Sequence, residues 1–338
     1  MSNPGTTVSF LLRGLKLSHL RLLAEVQTQG QLGLAAQKLG LAQPAASRLL
    51  AEMERIVGHA VHAREGRGLA LTPVGAALAR RAARVLLEIA DAEREIPEAA
   101  SGARGHVRIG SVTGPALSHV LPVLAELRKG QPGITVEVVV AMSNLLCDQL
   151  LAGRLDFALG RINSPALEQS LTITPLGDEP LSLVVRQGHP LVMHPRLTAL
   201  DTLAHDWVMP EDETLLTRTV LAQLAALGLP LPRRQVLTSS FLFTLALLND
   251  SDAVAPISAP VAASFAAGPS MPFVQLPLDL GLRVAPFGLL RRRNADPTPS
   301  AARIADRILA RVAVGRMSDI RREPAARAPE NVQIPSGY

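Results

Sequence analysis

The chain has 338 residues, 48% of them hydrophobic, so it is too long for one ordinary core and too apolar for broad disorder; two or three domains are expected. The single cysteine, Cys147, excludes an internal disulfide and a cysteine-cluster metal site, and no apolar run approaches the roughly 18 to 20 residues of a membrane span. The net charge of +5 is uneven: residues 1–84 carry 11 basic and 4 acidic side chains, residues 85–290 carry 13 and 20, and residues 291–338 carry 10 and 5. A basic head on an acidic body suits a nucleic-acid reader joined to another domain, or an arginine cluster on a solvated face.

The first elements read as helices. Leu17-Ser18 opens a helical pattern through Leu20, Leu23, Ala24 and Val26, which Gln29-Gly30 ends. A short helix over Leu32–Leu39 is predicted to pack Leu34, Ala35 and Leu39, with Ala35-Ala36 small enough for another helix to approach. Gly40 suits a tight turn. A third helix starts near Gln43, and its buried face is Ala46, Leu49 or Leu50, Met53 and Val57. Pro44 fits its first turn, where the missing N–H has no intrahelical partner. Gln43, Pro44, Ser47 and Arg48 then share the exposed N-terminal end. These residue types suit a helix entering the major groove: Gln pairs with adenine, Arg with guanine, Ser with a base or phosphate, and a proline ring meets a thymine methyl. An ordinary amphipathic helix with a polar start is the bland alternative.

The stretch VHAREGRGLALTPVG follows. Val61 and Leu69–Leu71 read as short strands around a Glu65–Gly68 turn, a wing that offers Arg64 and Arg67 to phosphates or a minor groove. His59 and His62 have no third ligand nearby, so no zinc is expected. Thr72 caps the next helix, with Pro73 in its first position. That helix is predicted to end near Ile96, before Pro97. Leu78, Ala82, Val85, Ile89, Ala92 and Ile96 alternate spacings of four and three, which makes a seam for a second copy or for the chain's own body.

From His106 strands and helices alternate. VRIGS, ITVEVVV and DFALG read as strands, with helices near Leu117–Lys129 and Asn144–Ala152 between them, a βαβ arrangement. A second set has strands near Leu181–Arg186, Trp207–Met209 and Val236–Thr238, with helices near Thr214–Leu227 and Phe241–Asn249. The chain returns at Leu282–Leu290 and closes with a helix at Ser300–Val314.

The order of helix, AAQKLG, LAQPAASRLLAEME, REGRG wing, LTPVG and long helix resembles the LysR-type transcriptional regulators. The match is close over residues 15–98 and looser to about 315. It implies an α + α/β fold: a winged helix-turn-helix over 15–72, a linker and dimerisation helix over 73–98, and a two-lobed periplasmic-binding-protein-like effector domain over 106–315. Lobe 1 would take about 106–180 and 286–315, lobe 2 about 181–285, with crossings near Glu179–Leu183 and Gly281–Pro286. Residues 316–338, rich in Pro, Ala and Arg, read as a disordered tail. The resemblance places DNA contacts on Gln43, Pro44, Ser47, Arg48 and Arg67, with Arg64 at the wing's edge. One departure is Ala42, where the family usually has Ser or Thr; the missing hydroxyl cap costs about 1 kcal/mol locally.

In such lobes a ligand binds at strand C-termini and helix N-termini. Three hydroxyl-rich stretches fall there: Ser111 to Gly114 with Thr113, Ser143-Asn144, and Thr238-Ser239-Ser240. Ser111, Thr113, Ser143, Asn144, Thr238 and Ser239 are therefore the expected effector contacts, although plain helix capping explains the same residue types. Arg161 and Arg186, the latter expected near a crossing, are candidate cations for an anionic ligand. DFALGR resembles the subset that includes regulators of sugar uptake and aromatic-acid breakdown, so a sugar or an aromatic acid is the expected effector. The resemblance implies no cofactor. Its partners would be double-stranded promoter DNA, a second copy or a tetramer, and RNA polymerase, but no membrane. Residues 1–17 lack a basic segment followed by a long apolar run, so no signal peptide is expected, which points to the cytoplasm. The chain contains no G-x-G-x-x-G, no G-x-x-x-x-G-K-[ST], no G-x-S-x-G and no H-E-x-x-H, which argues against an enzyme. The alternatives are a cytoplasmic α/β enzyme or a solute-binding protein with a basic dimerisation head.

Overall fold

The computed structural model describes residues 9–65, 68–101, 105–130, 133–211, 214–266 and 272–320. Its contacts divide the chain into two units, 1–100 and 101–338.

The first unit opens with α1 (Leu17–Gln29), α2 (Leu32–Lys38) and α3 (Gln43–Val57). Gly30 and Gly58 end α1 and α3 in the left-handed conformation that favours glycine. Leu22, Leu23, Val26, Ala35, Ala36, Ala46, Leu50 and Met53 form the core. Leu34, expected inside, is 45% exposed; the small pair Ala35-Ala36 faces the core instead, because only small side chains let α2 sit close to its neighbours. On α3 the buried stripe takes Leu50 rather than Leu49, and Ile56 rather than Val57.

β1 (His62–Glu65) and β2 (Gly68–Leu71) pair antiparallel, with Val61 just outside β1. Arg67 lies outside the described residues. Thr72 Oγ1 accepts the Gly75 N–H at 3.0 Å and donates to the Ala60 carbonyl at 2.7 Å, which fixes the start of α4 (Pro73–Ser101). A Cβ at Gly75 would lie 1.8 Å from the Val61 carbonyl oxygen, so only glycine lets this helix meet the base of the hairpin. α4 continues through Pro97, past its predicted end. The proline deletes one backbone donor, but a helix already formed over many turns absorbs that loss, and Glu98, Ala99 and Ala100 favour its continuation.

In the second unit, β3 (Gly105–Ser111) leads through α5 (Thr113–Pro115) and a π turn (Ala116–Val120) into α6 (Leu121–Gly130). β4 (Ile134–Val140), α7 (Ser143–Leu151) and β5 (Phe157–Gly160) follow. β3 is parallel to both β4 and β5. Val107, Ile109, Phe157 and Leu159 face one side, packed with Ile304 and Ile308, while Leu146, Leu150, Leu155 and Ala158 fill the other.

After α8 (Pro165–Glu168), β6 (Leu171–Arg186) is far longer than the predicted Leu181–Arg186 strand. Pro175, Gly177 and Pro180 read as breakers, yet β6 stays paired because irregular register in β11 (Arg283–Arg292), between Val284 and Gly288, absorbs the mismatch. The second lobe holds a 3₁₀ turn (Pro190–Met193), α9 (Ala199–Thr202), β7 (Trp207–Met209), α10 (Leu215–Ala226) and β8 (Gln235–Leu237). It continues with α11 (Phe241–Asp250), β9 (Ala255–Ser258), α12 (Ala259–Ala266) and β10 (Phe273–Gln275). Strands β9 and β10 and helix α12 were not predicted; short apolar runs carry little periodicity. The first half of β6 pairs with β11 and the second half with β9 and β10, so β6 and β11 carry the chain between lobes near Pro180 and Arg283. α13 (Pro299–Ile320) runs past the predicted Val314, so residues 316–320, assigned by sequence to a disordered tail, are helical; Ala-, Ile- and Arg-rich composition sustains the helix. Residues 321–338 lie outside the described residues. Among the described residues no helix is long and apolar enough to cross a membrane.

A buried histidine, His189, and a half-buried one, His119, make this unit sensitive to acid. His189 Nδ1 accepts the Leu191 N–H at 3.0 Å and Nε2 lies 3.1 Å from the Asp252 carbonyl, so both ring nitrogens are occupied in the neutral form. Burial pushes His189 below its usual value, and burial followed by Arg311 does the same to His119. The unfolded chain therefore binds protons at these sites more readily than the folded chain. Their stabilising effect is complete above the ordinary histidine value of 6.5 and is lost as the pH falls below it. The urea midpoint is expected to fall between about pH 7.5 and about pH 5.5 and to fall less in His189→Asn; equal slopes in both proteins would remove His189 as a source.

Candidate functional site

Two surfaces gather the residues singled out by sequence. On the first unit, Gln43, Pro44, Ser47 and Arg48 are all exposed in the first turns of α3, while Ala46 and Leu50 anchor the opposite face. The N-cap Ala42 supplies no side-chain bond, so the cap is made by its carbonyl alone, which accepts the Ala46 N–H at 3.1 Å. Pro44 has no N–H, and the Ala45 and Ala46 N–H groups both donate to the Ala42 carbonyl, at 2.9 and 3.1 Å, so the four exposed side chains rather than the backbone are what the start of α3 offers to phosphate and base edges. Arg64 lies in β1, paired across the hairpin with Leu69. Sequence reading missed Glu54. Its Oε1 accepts the Val61 N–H at 2.9 Å and lies 2.8 Å from His62 Nδ1, which ties the hairpin to α3. The signal was an acid on the core side of α3, where a carboxylate needs buried donors.

The second surface is the meeting of the lobes in the second unit. The parallel strands β3 and β5 end at Ser111 and Gly160, and the C-terminal end of β9, Ser258, faces them across Gly114. Ser111 is fully buried and donates to the Val112 carbonyl at 2.9 Å. Thr113, half-buried, begins α5. Ser143 is buried at the start of α7 and its Oγ accepts the Arg161 main-chain N–H at 3.1 Å; Asn144 beside it is exposed. Thr238 is half-buried, bonded through its N–H to the Met209 carbonyl at 2.9 Å and through Oγ1 to the Ser240 N–H at 3.1 Å. Ser239 is exposed, and Ser240 caps α11 through the Phe243 N–H at 3.2 Å.

The first two stretches converge on an ion pair. Arg161 Nη2 lies 2.6 Å from Glu179 Oε2, and both residues are 8% exposed. Arg161 Nε donates to the Ala285 carbonyl at 2.7 Å, and the guanidinium stands 5.9 Å from the centre of the Phe287 ring. Arg161 therefore grips both crossing strands, β6 through Glu179 and β11 through Ala285. A Cβ at Gly114 would lie 2.1 Å from Glu179 Oε1, so α5 reaches this carboxylate only because residue 114 is glycine. Glu179 was not identified from sequence: it sits in Gly177-Asp178-Glu179-Pro180, where no local sign separates it from Asp178. Arg186 is not at the crossing: it ends β6 at the far side of lobe 2 and pairs with Asp252 at 2.7 Å. Strand length explains the difference, since β6 passes the crossing and continues through the second lobe.

The chain matches two family descriptions: "Bacterial regulatory helix-turn-helix protein, lysR family" over residues 17–76 and "LysR substrate binding domain" over residues 100–313. Among curated relatives, the HTH-type transcriptional regulator GbpR of Rhizobium radiobacter is 42% identical over 254 residues, covering 75% of this chain and 84% of the relative. GbpR of Azospirillum brasilense is 31% identical over 293 residues, covering 86% and 85%. Among solved structures, ArgP from Mycobacterium tuberculosis shares the fold with a TM-score of 0.63 at 21% identity, covering 88% of this chain and 98% of that one.

Proposed function

Because the chain belongs to the LysR family of DNA-binding transcriptional regulators, we propose that Gln43, Pro44, Ser47 and Arg48 read base edges in promoter DNA while Arg64 and Arg67 hold its backbone or minor groove. The observation that carries this reading is the exposure of all four α3 side chains at one helix end, above a buried stripe that fixes the helix. The protein acts in the cytoplasm as a regulator rather than an enzyme. A small molecule, a sugar or an aromatic acid, binds where the lobes meet, at Ser111, Thr113, Ser143, Asn144, Thr238 and Ser239. It shifts promoter binding only if it binds two lobe arrangements unequally. The working division is a reading head over 15–72, a linker helix over 73–98 and an effector domain over 106–315. Mobility shift and footprinting on the DNA upstream of the protein's own gene, across a salt series, test the reading. Two protected half-sites lost steeply with salt support it; no protection at low salt there or on neighbouring divergent promoters sinks it.

The head is placed on two half-sites by pairing α4 with α4 of a second copy. Val85, Ile89 and Ile96 on the seam are 43%, 37% and 67% exposed. Arg81, Glu88 and Glu95 flank the seam at seven-residue spacing, with Glu93 on the other flank. An antiparallel pair that sets Arg81 against Glu95 of the partner subunit twice also sets Glu88 against its own copy once, whereas a parallel pair sets Glu88 against Glu93 twice, like against like with no attractive contact between them. On this balance antiparallel pairing is favoured. Arg81→Glu and Glu95→Arg are each expected to weaken dimerisation by about 1–2 kcal/mol, and their combination to restore it. Sedimentation equilibrium measures this, and a double variant no tighter than the single ones rules the pairing out.

A further inference from the structure

The electrostatics of the cleft narrow the class of molecule it takes, an inference that rests on reading that cleft as the effector site. We propose that Glu179 is a specificity-determining residue that makes the cleft select an uncharged, hydroxyl-rich molecule and refuse carboxylates. Among the described residues, Arg161 is the one buried arginine or lysine. Its charge is already spent on Glu179 at 2.6 Å, and its Nε is held by the Ala285 carbonyl at 2.7 Å. An entering carboxylate would meet a neutralised cation and, beside it, the second carboxylate oxygen of Glu179, which lies against Gly114 near Ser258. Like charges in a weakly screened site repel, so this geometry works against anions.

A polyhydroxylated molecule meets the same groups on better terms. Each hydroxyl both donates and accepts. It can donate to Glu179 Oε1 and accept from Thr113, Asn144 or a first-turn N–H of α7, without asking Arg161 to leave its partner. The paired arginine and carboxylate then serve together, one as donor and one as acceptor, and the net charge of the buried pair stays zero. A single change should invert this preference. Glu179→Gln keeps an oxygen for Arg161 Nη2 but deletes the negative charge, leaving a buried cation that seeks an anion.

Calorimetric titration of the full-length dimeric chain tests the proposal, with neutral hexoses and hexitols set against benzoate, glutarate and 1,5-diaminopentane. The wild-type protein is expected to bind a member of the neutral set and neither carboxylate nor diamine. Glu179→Gln is expected to gain carboxylate affinity by about tenfold or more and to lose the neutral molecule. Thr113→Val locates the site. Carboxylate binding by the wild type that Thr113→Val abolishes overturns the charge selection and leaves the cleft as the effector site. Neutral binding unchanged by both Thr113→Val and Glu179→Gln overturns the site as well. A Glu179→Gln protein that still ignores carboxylates overturns the role of Glu179. Should that variant not fold, Arg161→Met with Glu179→Leu, which removes both charges together, takes its place: loss of neutral binding supports the role of Glu179, and neutral binding that survives the double change overturns it.

Discussion

Arg161→Met is expected to lower the stability of the effector domain by about 3–5 kcal/mol, the cost of leaving one member of a buried pair alone. Arg161 and Glu179 are each 8% exposed, so little water reaches them. Removing the guanidinium strands a carboxylate pressed against Gly114, and it frees the Ala285 carbonyl at the same moment. The methionine fills much of the space over Phe287 but offers no donor. Replacing both members, Arg161→Met with Glu179→Leu, is expected to recover most of the loss, because the desolvation cost then disappears with both charges. Urea unfolding of the two variants beside the wild type checks this. A single variant within about 1 kcal/mol of wild type would mean that solvent or another group already satisfies Glu179. The same substitution loosens the grip of lobe 1 on both crossing strands, so the response of DNA binding to the effector should weaken even where the variant stays folded.

The helix-turn-helix was legible because each of its devices is local. Gly30 ends a helix, Pro44 begins one, Thr72 caps one, and the apolar stripe repeats at helical spacing; the structure shows each of these where the residues predict it. The errors came where tertiary packing chose between equal local options. Leu34 was expected inside together with Ala35 and Leu39; Ala35 is buried and Leu39 packs at the edge of the core, but Leu34 turns outward, and that depends on how closely α1 and α3 approach α2. The crossing strands were legible only in part. Pro175, Gly177 and Pro180 are breakers by local rules, and the β11 partner that keeps β6 extended lies more than a hundred residues further along the chain. Glu179 was hidden for the same reason. Nothing local distinguishes it from Asp178 beside it, which is exposed; only the return of β11 and the end of β5 bring Arg161 to one and not the other. The four exposed side chains at the start of α3 and the buried ion pair therefore sit at opposite ends of what local rules can reach.

Arg48→Ala is expected to weaken specific promoter binding by about 1–3 kcal/mol and to relax discrimination at one base pair in each half-site, the loss of a bidentate contact to guanine. The side chain is exposed, one helical turn beyond Pro44 and on the side away from the Ala46–Leu50 stripe, so alanine removes no core contact. Stability should stay within about 0.5 kcal/mol of wild type, which separates a reading defect from a folding defect. Salt dependence separates reading from charge. A residue that touches only phosphate weakens all sequences alike and lowers the salt slope by about one. A residue that reads a base leaves binding to random DNA nearly unchanged while specific binding falls. Anisotropy titrations with the native half-site and with a scrambled duplex, each at several salt concentrations, give both quantities. Equal losses on the two duplexes would move Arg48 from the base edge to the backbone, and no loss on either would take it out of the interface and leave Gln43 and Ser47 to carry the reading.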